Sequence, residues 1–424
     1  MKKFSISLIA IISLFACVNF IRFKSFSENP IGSPIDFANV YIGQRLLCEH
    51  KDPYDDASIK IAWKSIQKEF GIITDLDPGF PQFPILYPPW GLAVFAPLGL
   101  FPYGVAYKIW YFLIPFLLIG GIYFLASFVK KDLPRKRLFP ELVLLALAFK
   151  GTIQSSISGQ PSFLYFALVC GFLCLYSRDL KVPAAVLLGI SAGKFTLTLP
   201  FFLFLIVKRE WKSLFIATGC IGIVFGAAIV LSQDSAAHAH SYVQAVRKMQ
   251  MILYDTTSPD YPFMPYSTPI SVATLSEIGA IISVLWRNSV QTIQWLQPML
   301  LLTGFIAIGF IHRTYELSDV LLVLIFNGLC ALTSYHQYYD ILLFILLSYC
   351  FIIKLSSWQQ LPYWLLMGFC FVPVNSILKH LSLPSSFNFL YCYLPVVVIL
   401  DCAIVIAGVI SLQTMKSSVH RMNT

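Results

Sequence analysis

The chain reads as an all-α membrane protein, a polytopic bundle of about twelve transmembrane helices with a long first extracytoplasmic loop. Three observations carry this reading. Of the 424 residues, 57% are hydrophobic and only 12% charged, and mean hydropathy is +0.74. A soluble domain carries about 25% charged residues, so half that density cannot cover a water-facing surface. Apolar runs close to the roughly 17–25 residues that cross a bilayer recur along the chain. Between them the basic residues gather in short clusters, as cytoplasmic loops do under the positive-inside rule.

The first span is expected at 5–22. MKKFSISLIAIISLFACVNFI looks like a signal peptide, but no small-x-small cleavage site follows it cleanly, so it is read as an uncleaved helix. Residues 23–103 form the long extracytoplasmic loop, with Asp36, Arg45, Asp52, Asp55, Asp56, Asp75 and Asp77 in its polar part. That part is expected to be the largest water-facing segment. The stretch ILYPPWGLAVFAPLG is apolar but short and interrupted by Pro88, Pro89 and Pro97. If it crossed the membrane, the basic loop KKDLPRKR would fall outside. It is therefore placed along the outer interface as a juxtamembrane helix.

Further spans are expected at 104–129, 138–151, 161–177, 182–193, 195–207, 213–231, 289–311, 317–333, 338–354, 361–377 and 389–412. The loops with Arg178–Lys181, Lys208–Lys212 and His312–Arg313 then share one side with KKDLPRKR, as do Lys354 and the tail from Lys416. Both termini are expected to be cytoplasmic, in an inner (plasma) membrane. The two runs flanking Lys194 are too short to cross comfortably and read as tilted, broken or re-entrant. A second extracytoplasmic segment spans 232–288. No repeat or linker divides the chain, so residues 1–424 are read as one domain.

The net charge of +9 follows this topology, and no nucleic-acid partner is expected. Most of the 10 Cys lie inside apolar runs as small hydrophobes, without a CxxC pair. Neither a disulfide nor a zinc site is expected. Asp75 and Asp77 form D-L-D on a distant loop, and His238 and His240 form H-x-H in a flexible outer loop. Neither pair makes a good metal site, so no metal and no cofactor is expected.

Polar groups at membrane depth are costly and mark working sites. In this topology four sets reach the outer face together: Asp36, Ser156–Gln160, Lys194, and Tyr335–Asp340 with His336. A carboxylate, a cation, an imidazole and amides facing one compartment suit a charged, hydroxyl-rich substrate.

Four ordered blocks carry a resemblance. They are DFANVYIGQRLLCEHKDPYD at 36–55, ILYPPWGLAVFAPLGLFP at 85–102, GQPSFLYFAL through AAVLLGISAGKFTLTLPFFLFLIVKREW at 159–211, and SYHQYYD at 334–340. Together the chain resembles the polytopic glycosyltransferases of family 87, in the GT-C fold class. It departs from the family pattern at Pro161, where Asn often follows the GQ, and at Phe195, where Pro usually follows the core lysine. The resemblance implies inverting sugar transfer on the extracytoplasmic face. The implied partners are a polyprenyl-phosphate sugar donor, usually of mannose or arabinose, and a lipid or glycan acceptor. The absence of a nucleotide-binding glycine loop agrees with such a donor.

Asp36 is the candidate base for the acceptor hydroxyl; the competing reading is a helix cap after Pro34. Lys194 would meet the donor phosphate; the alternative is a lysine snorkelling to the interface. His336 would bind phosphate or a sugar hydroxyl with Asp340, four residues on, orienting it; the alternative is an aromatic belt built by the neighbouring tyrosines. Gln160 would bond sugar or backbone, or begin a helix before Pro161. Tyr87 would shape the site wall, and Arg45 and Asp52 would brace the loop. A multispan transporter or flippase of lipid-linked sugars is the competing function, since broken helices and intramembrane charge suit one too. The early, asymmetric loop and the lack of a two-fold repeat argue against it.

Overall fold

A computed structural model describes residues 35–70, 85–231, 235–254, 290–333 and 340–354, with the single positions 14, 17 and 360. Among these residues every regular element is helical. In chain order they are α1 (Ile35–Cys48), α2 (Asp56–Phe70), α3 (Pro89–Gly99), α4 (Tyr103–Val129), α5 (Leu138–Ala148) and α6 (Lys150–Ser158). Then follow α7 (Ser162–Ser177), α8 (Lys181–Ser191), a 3-10 turn (Ala192–Lys194), α9 (Phe195–Val207) and α10 (Trp211–Leu231). The last are α11 (Ser235–Tyr254), α12 (Val290–Tyr315), α13 (Asp319–Thr333) and α14 (Leu342–Ile352). The first expected span, apart from positions 14 and 17, and the last two, at 361–377 and 389–412, lie outside the described residues.

By length and composition, four stretches among the described residues can each cross a bilayer, or five if the bent pair α5–α6 is one span. This agrees with an all-α membrane protein. Contacts at the loop ends give the directions. Trp110 Nε1 donates to the Gly159 carbonyl at 2.8 Å, Gly121 packs on Phe166, and Lys131 donates to the Ser177 carbonyl. Helices α4 and α7 therefore run parallel. Lys181 pairs with Glu210 at 2.5 Å, and Gly189 lies against Ala217 and Cys220. Helices α8 and α10 therefore also run parallel, and α9 between them must run back.

Taken alone, the apolar stretch Lys181–Val207 could pass as one 27-residue span. A straight helix of that length separates its ends by about 40 Å, which the Lys181–Glu210 contact forbids. The segment is a hairpin of two legs, 11 and 13 residues long. They rise only about 16 and 20 Å against a hydrocarbon core of about 30 Å. Lys194 sits at the hairpin tip.

The same logic groups the basic loops. Lys208 pairs with Asp319 at 2.9 Å, Arg135 with Glu141 at 2.8 Å, and Tyr349 donates to Glu141 at 2.8 Å. Loops 130–137, 178–181 and 208–212, the start of α13 and the end of α14 thus share one face, the arrangement expected from charge alone.

Three expectations are corrected. The span at 138–151 breaks at Phe149, whose extended backbone (ψ 121°) ends α5, and α6 leaves at 66°. The start of the first loop is not a water-facing segment: Phe37, Val40, Tyr41, Ile42, Leu46 and Leu47 of α1 are buried, packed against α3 and the start of α4. The H-x-H segment is not a flexible loop but part of α11. His238 is buried there, and Lys248 pairs with Asp56 of α2 at 2.9 Å.

Candidate functional site

On the face opposite the basic loops, turns from three helix pairs meet. They are 159–161 between α6 and α7, the Lys194 tip between α8 and α9, and residue 340 ahead of α14. Lys194 Nζ lies 2.6 Å from Asp340 Oδ1 and 2.6 Å from Ser162 Oγ, and Ser162 Oγ donates to Asp340 Oδ1 at 2.9 Å. The side chains are 13% (Lys194) and 3% (Asp340) exposed. Removing one partner of such a buried pair costs about 3–5 kcal/mol, because the other charge stays buried. Behind the pair is a cavity of about 20 Å³, whose polar lining is Thr152, Ser155, Ser162 and Asp340. That is room for one water.

Asp36 enters from the first turn of α1. Its carboxylate bonds the side chains of Ser158 and Gln160 and lies within electrostatic reach of Lys194 and Asp340. Burial pushes its pKa above the ordinary 3.8, against the lowering pull of the two hydrogen bonds and of Lys194. Tyr87 Oη donates to Gln160 Oε1 at 3.4 Å, which leaves the amide nitrogen of Gln160 for Asp36. Of the residues singled out from the sequence, Asp36, Gln160, Lys194, Asp340 and Tyr87 thus come together. His336 lies outside the described residues. Arg45 and Asp52 brace their loop: Arg45 bonds Glu49 and Tyr41, and Asp52 accepts the Tyr54 amide.

Backbone chemistry fixes the turns. Gly159 ends α6 at φ +67°, and a Cβ there would lie 2.7 Å from the Phe37 Cβ, so only glycine fits. Pro161 follows at φ −63°, the value its ring imposes. The Pro88–Pro89 pair starts α3 with proline at the first helical position. Trp90 Nε1 then donates to the Ala192 carbonyl at 3.1 Å, and a Cβ on Gly91 would meet the Gly193 carbonyl oxygen at 2.5 Å. The proline block therefore clamps the backbone that carries Lys194. Gly91→Ala is expected to cost about 1–3 kcal/mol of stability through forced backbone movement. Thermal unfolding beside the wild type checks this.

Sequence reasoning missed Ser162, which binds both members of the ion pair, and the Gly91–Gly193 contact. The serine opens an apolar helix and looks like a start residue, while the two glycines are far apart in the chain and meet only in space.

Among the described residues no three His, Cys, Asp or Glu side chains gather to hold a metal. Fold and site define a multispan helical membrane protein with a recessed polar site that combines a raised-pKa carboxylate with a largely buried cation. The glycosyltransferase family 87 model matches residues 85–335, more than half of the chain, and the chain belongs to that family. It is a membrane glycosyltransferase. No curated protein and no solved structure matches the chain.

Proposed function

We propose that the enzyme moves a hexose, mannose first among candidates, from a polyprenyl-phosphate sugar to a lipid or glycan acceptor by a single inverting displacement. The observation that carries this is the meeting of Asp36 with the Lys194–Ser162–Asp340 cluster across Ser158 and Gln160. An acceptor hydroxyl attacks the anomeric carbon and Asp36 takes its proton. The bond from that carbon to the phosphate oxygen breaks, and the phosphate leaves with the electron pair. Lys194 and the Ser162 hydroxyl stabilise the charge that builds there. A donor phosphate oxygen takes the place of Asp340 Oδ1 on Lys194, so the ion pair is the resting partner of a cation awaiting substrate. His336, which stands four residues before Asp340 in the sequence, would add a second phosphate or sugar contact.

The basic loops share one face, and under the positive-inside rule that face is cytoplasmic. The site then opens on the extracytoplasmic side of the inner membrane, with both termini inside. The test uses purified protein in liposomes, labelled polyprenyl-phosphate mannose and a lipid extract as acceptor pool, with wild type beside Asp36→Asn. Label entering a new product only with wild type supports the reading. Equal product from both removes Asp36 as the base.

A further inference from the structure

The turn from 157 to 162 gathers the site's contacts in one short stretch. Tyr111 Oη donates to the Ile157 carbonyl, Asp36 bonds Ser158 and Gln160, and Ser162 bonds Lys194 and Asp340. The carboxylate is thus within electrostatic reach of both Lys194 and Tyr111. In a single displacement the nucleophile enters opposite the leaving group. Lys194 marks the leaving phosphate, so the acceptor belongs beside Asp36, where Tyr111 also reaches and where Phe37 packs on Tyr107.

That side carries a tyrosine ladder. Tyr103, Tyr107 and Tyr111 recur every four residues on α4, so they share one helix face. The Tyr103 and Tyr107 rings stack at 6.2 Å and 22°, and the Tyr107 and Tyr111 rings lie 4.4 Å apart. Phe37, next to Asp36, packs on Tyr107 at 6.0 Å. Tyr103 is buried, whereas Tyr107 and Tyr111 are half-buried. Just beyond them Phe112 and Phe116 are 68% and 61% exposed on a helix long and apolar enough to cross a bilayer.

We propose that Tyr107 and Tyr111 form the acceptor subsite, on which the sugar ring of a glycolipid stacks after entering sideways along α4. This rests on the transferase reading above. The occupant is a glycolipid because the exposed Phe112 and Phe116 of the same apolar helix lie within about a turn and a half of Tyr111. A lipid tail can lie on Phe112 and Phe116 while the head group reaches Asp36.

The test measures binding, so it does not depend on turnover. Saturation-transfer NMR on protein in nanodiscs, corrected with empty discs, would use octyl and methyl glycosides of mannose, glucose, galactose and arabinose. Wild type is expected to bind at least one octyl glycoside in preference to its methyl counterpart. Tyr107→Ala with Tyr111→Ala should weaken this about tenfold, as two lost ring contacts imply, while the paired Phe variants stay within about twofold. Binding is read without donor or turnover, which separates this subsite from the catalytic reading. A photoreactive octyl glycoside on wild type should label the peptide holding Tyr107 and Tyr111, which covers the case of an Ala variant that fails to fold. Labelling elsewhere, unchanged affinity in the folded Ala variant, or equal binding of methyl glycosides would each overturn the proposal.

Discussion

Replacing Asp36 with asparagine is expected to lower sugar transfer by about 10²–10⁴-fold, the range that a positioned general base supplies. The amide keeps the shape and can still bond Ser158 and Gln160, so the loss reports proton transfer rather than collapse. Stability should move the other way. Burial raises the Asp36 pKa above 3.8, so the ionised form is the costly one in the folded state. Such a group supports folding while protonated at low pH and loses that contribution as pH rises through its raised pKa. At pH 7 the Asn variant should therefore unfold at or above the wild-type temperature, and the gap should close on acidification. The acid limb of kcat/KM in wild type should lie above 3.8, with activity falling as pH drops through it. A variant that unfolds well below wild type at pH 7 would make Asp36 a structural carboxylate.

The all-α membrane fold is legible in the sequence, and so is the grouping of the candidate site residues on one face. Asp36, Gln160, Lys194 and Asp340 are polar residues at the ends of apolar runs, and the charge rule puts them on one face. Side-chain chemistry at a membrane boundary is expensive enough to stand out against 57% hydrophobic residues. The partnership inside the set is not legible. Helical spacing, the periodicity visible in one dimension, pairs Asp340 with His336 four residues away. Its described partners are Lys194 and Ser162, which are 146 and 178 positions distant. The break at Phe149 is also hidden, since α5 and α6 read as one run until a single residue turns extended. Burial of α1 escapes the sequence because its polar residues draw the reading toward water, while its tyrosine and phenylalanine face fits the α4 ladder.

Removing Lys194 should be the most damaging single change to both stability and donor binding. Lys194→Ala leaves the Asp340 carboxylate, 3% exposed, without its cation. The expected cost is about 3–5 kcal/mol, read as a lowered unfolding temperature or chemical midpoint. Adding Asp340→Asn removes the stranded charge, so the double variant should regain most of that stability. Donor binding should not return with it, because the phosphate has lost its cation in both variants. Asp340→Asn alone supplies the third corner. It keeps a hydrogen-bonding group beside Ser162 but removes the carboxylate that competes with phosphate for Lys194. It should therefore bind the donor more tightly than wild type. Titration of a labelled polyprenyl-phosphate sugar into all four proteins separates the effects. Weak binding in both Lys194 variants with stability rescued in one identifies Lys194 as the phosphate contact. Unchanged donor affinity in Lys194→Ala would leave the lysine as a purely structural partner of Asp340.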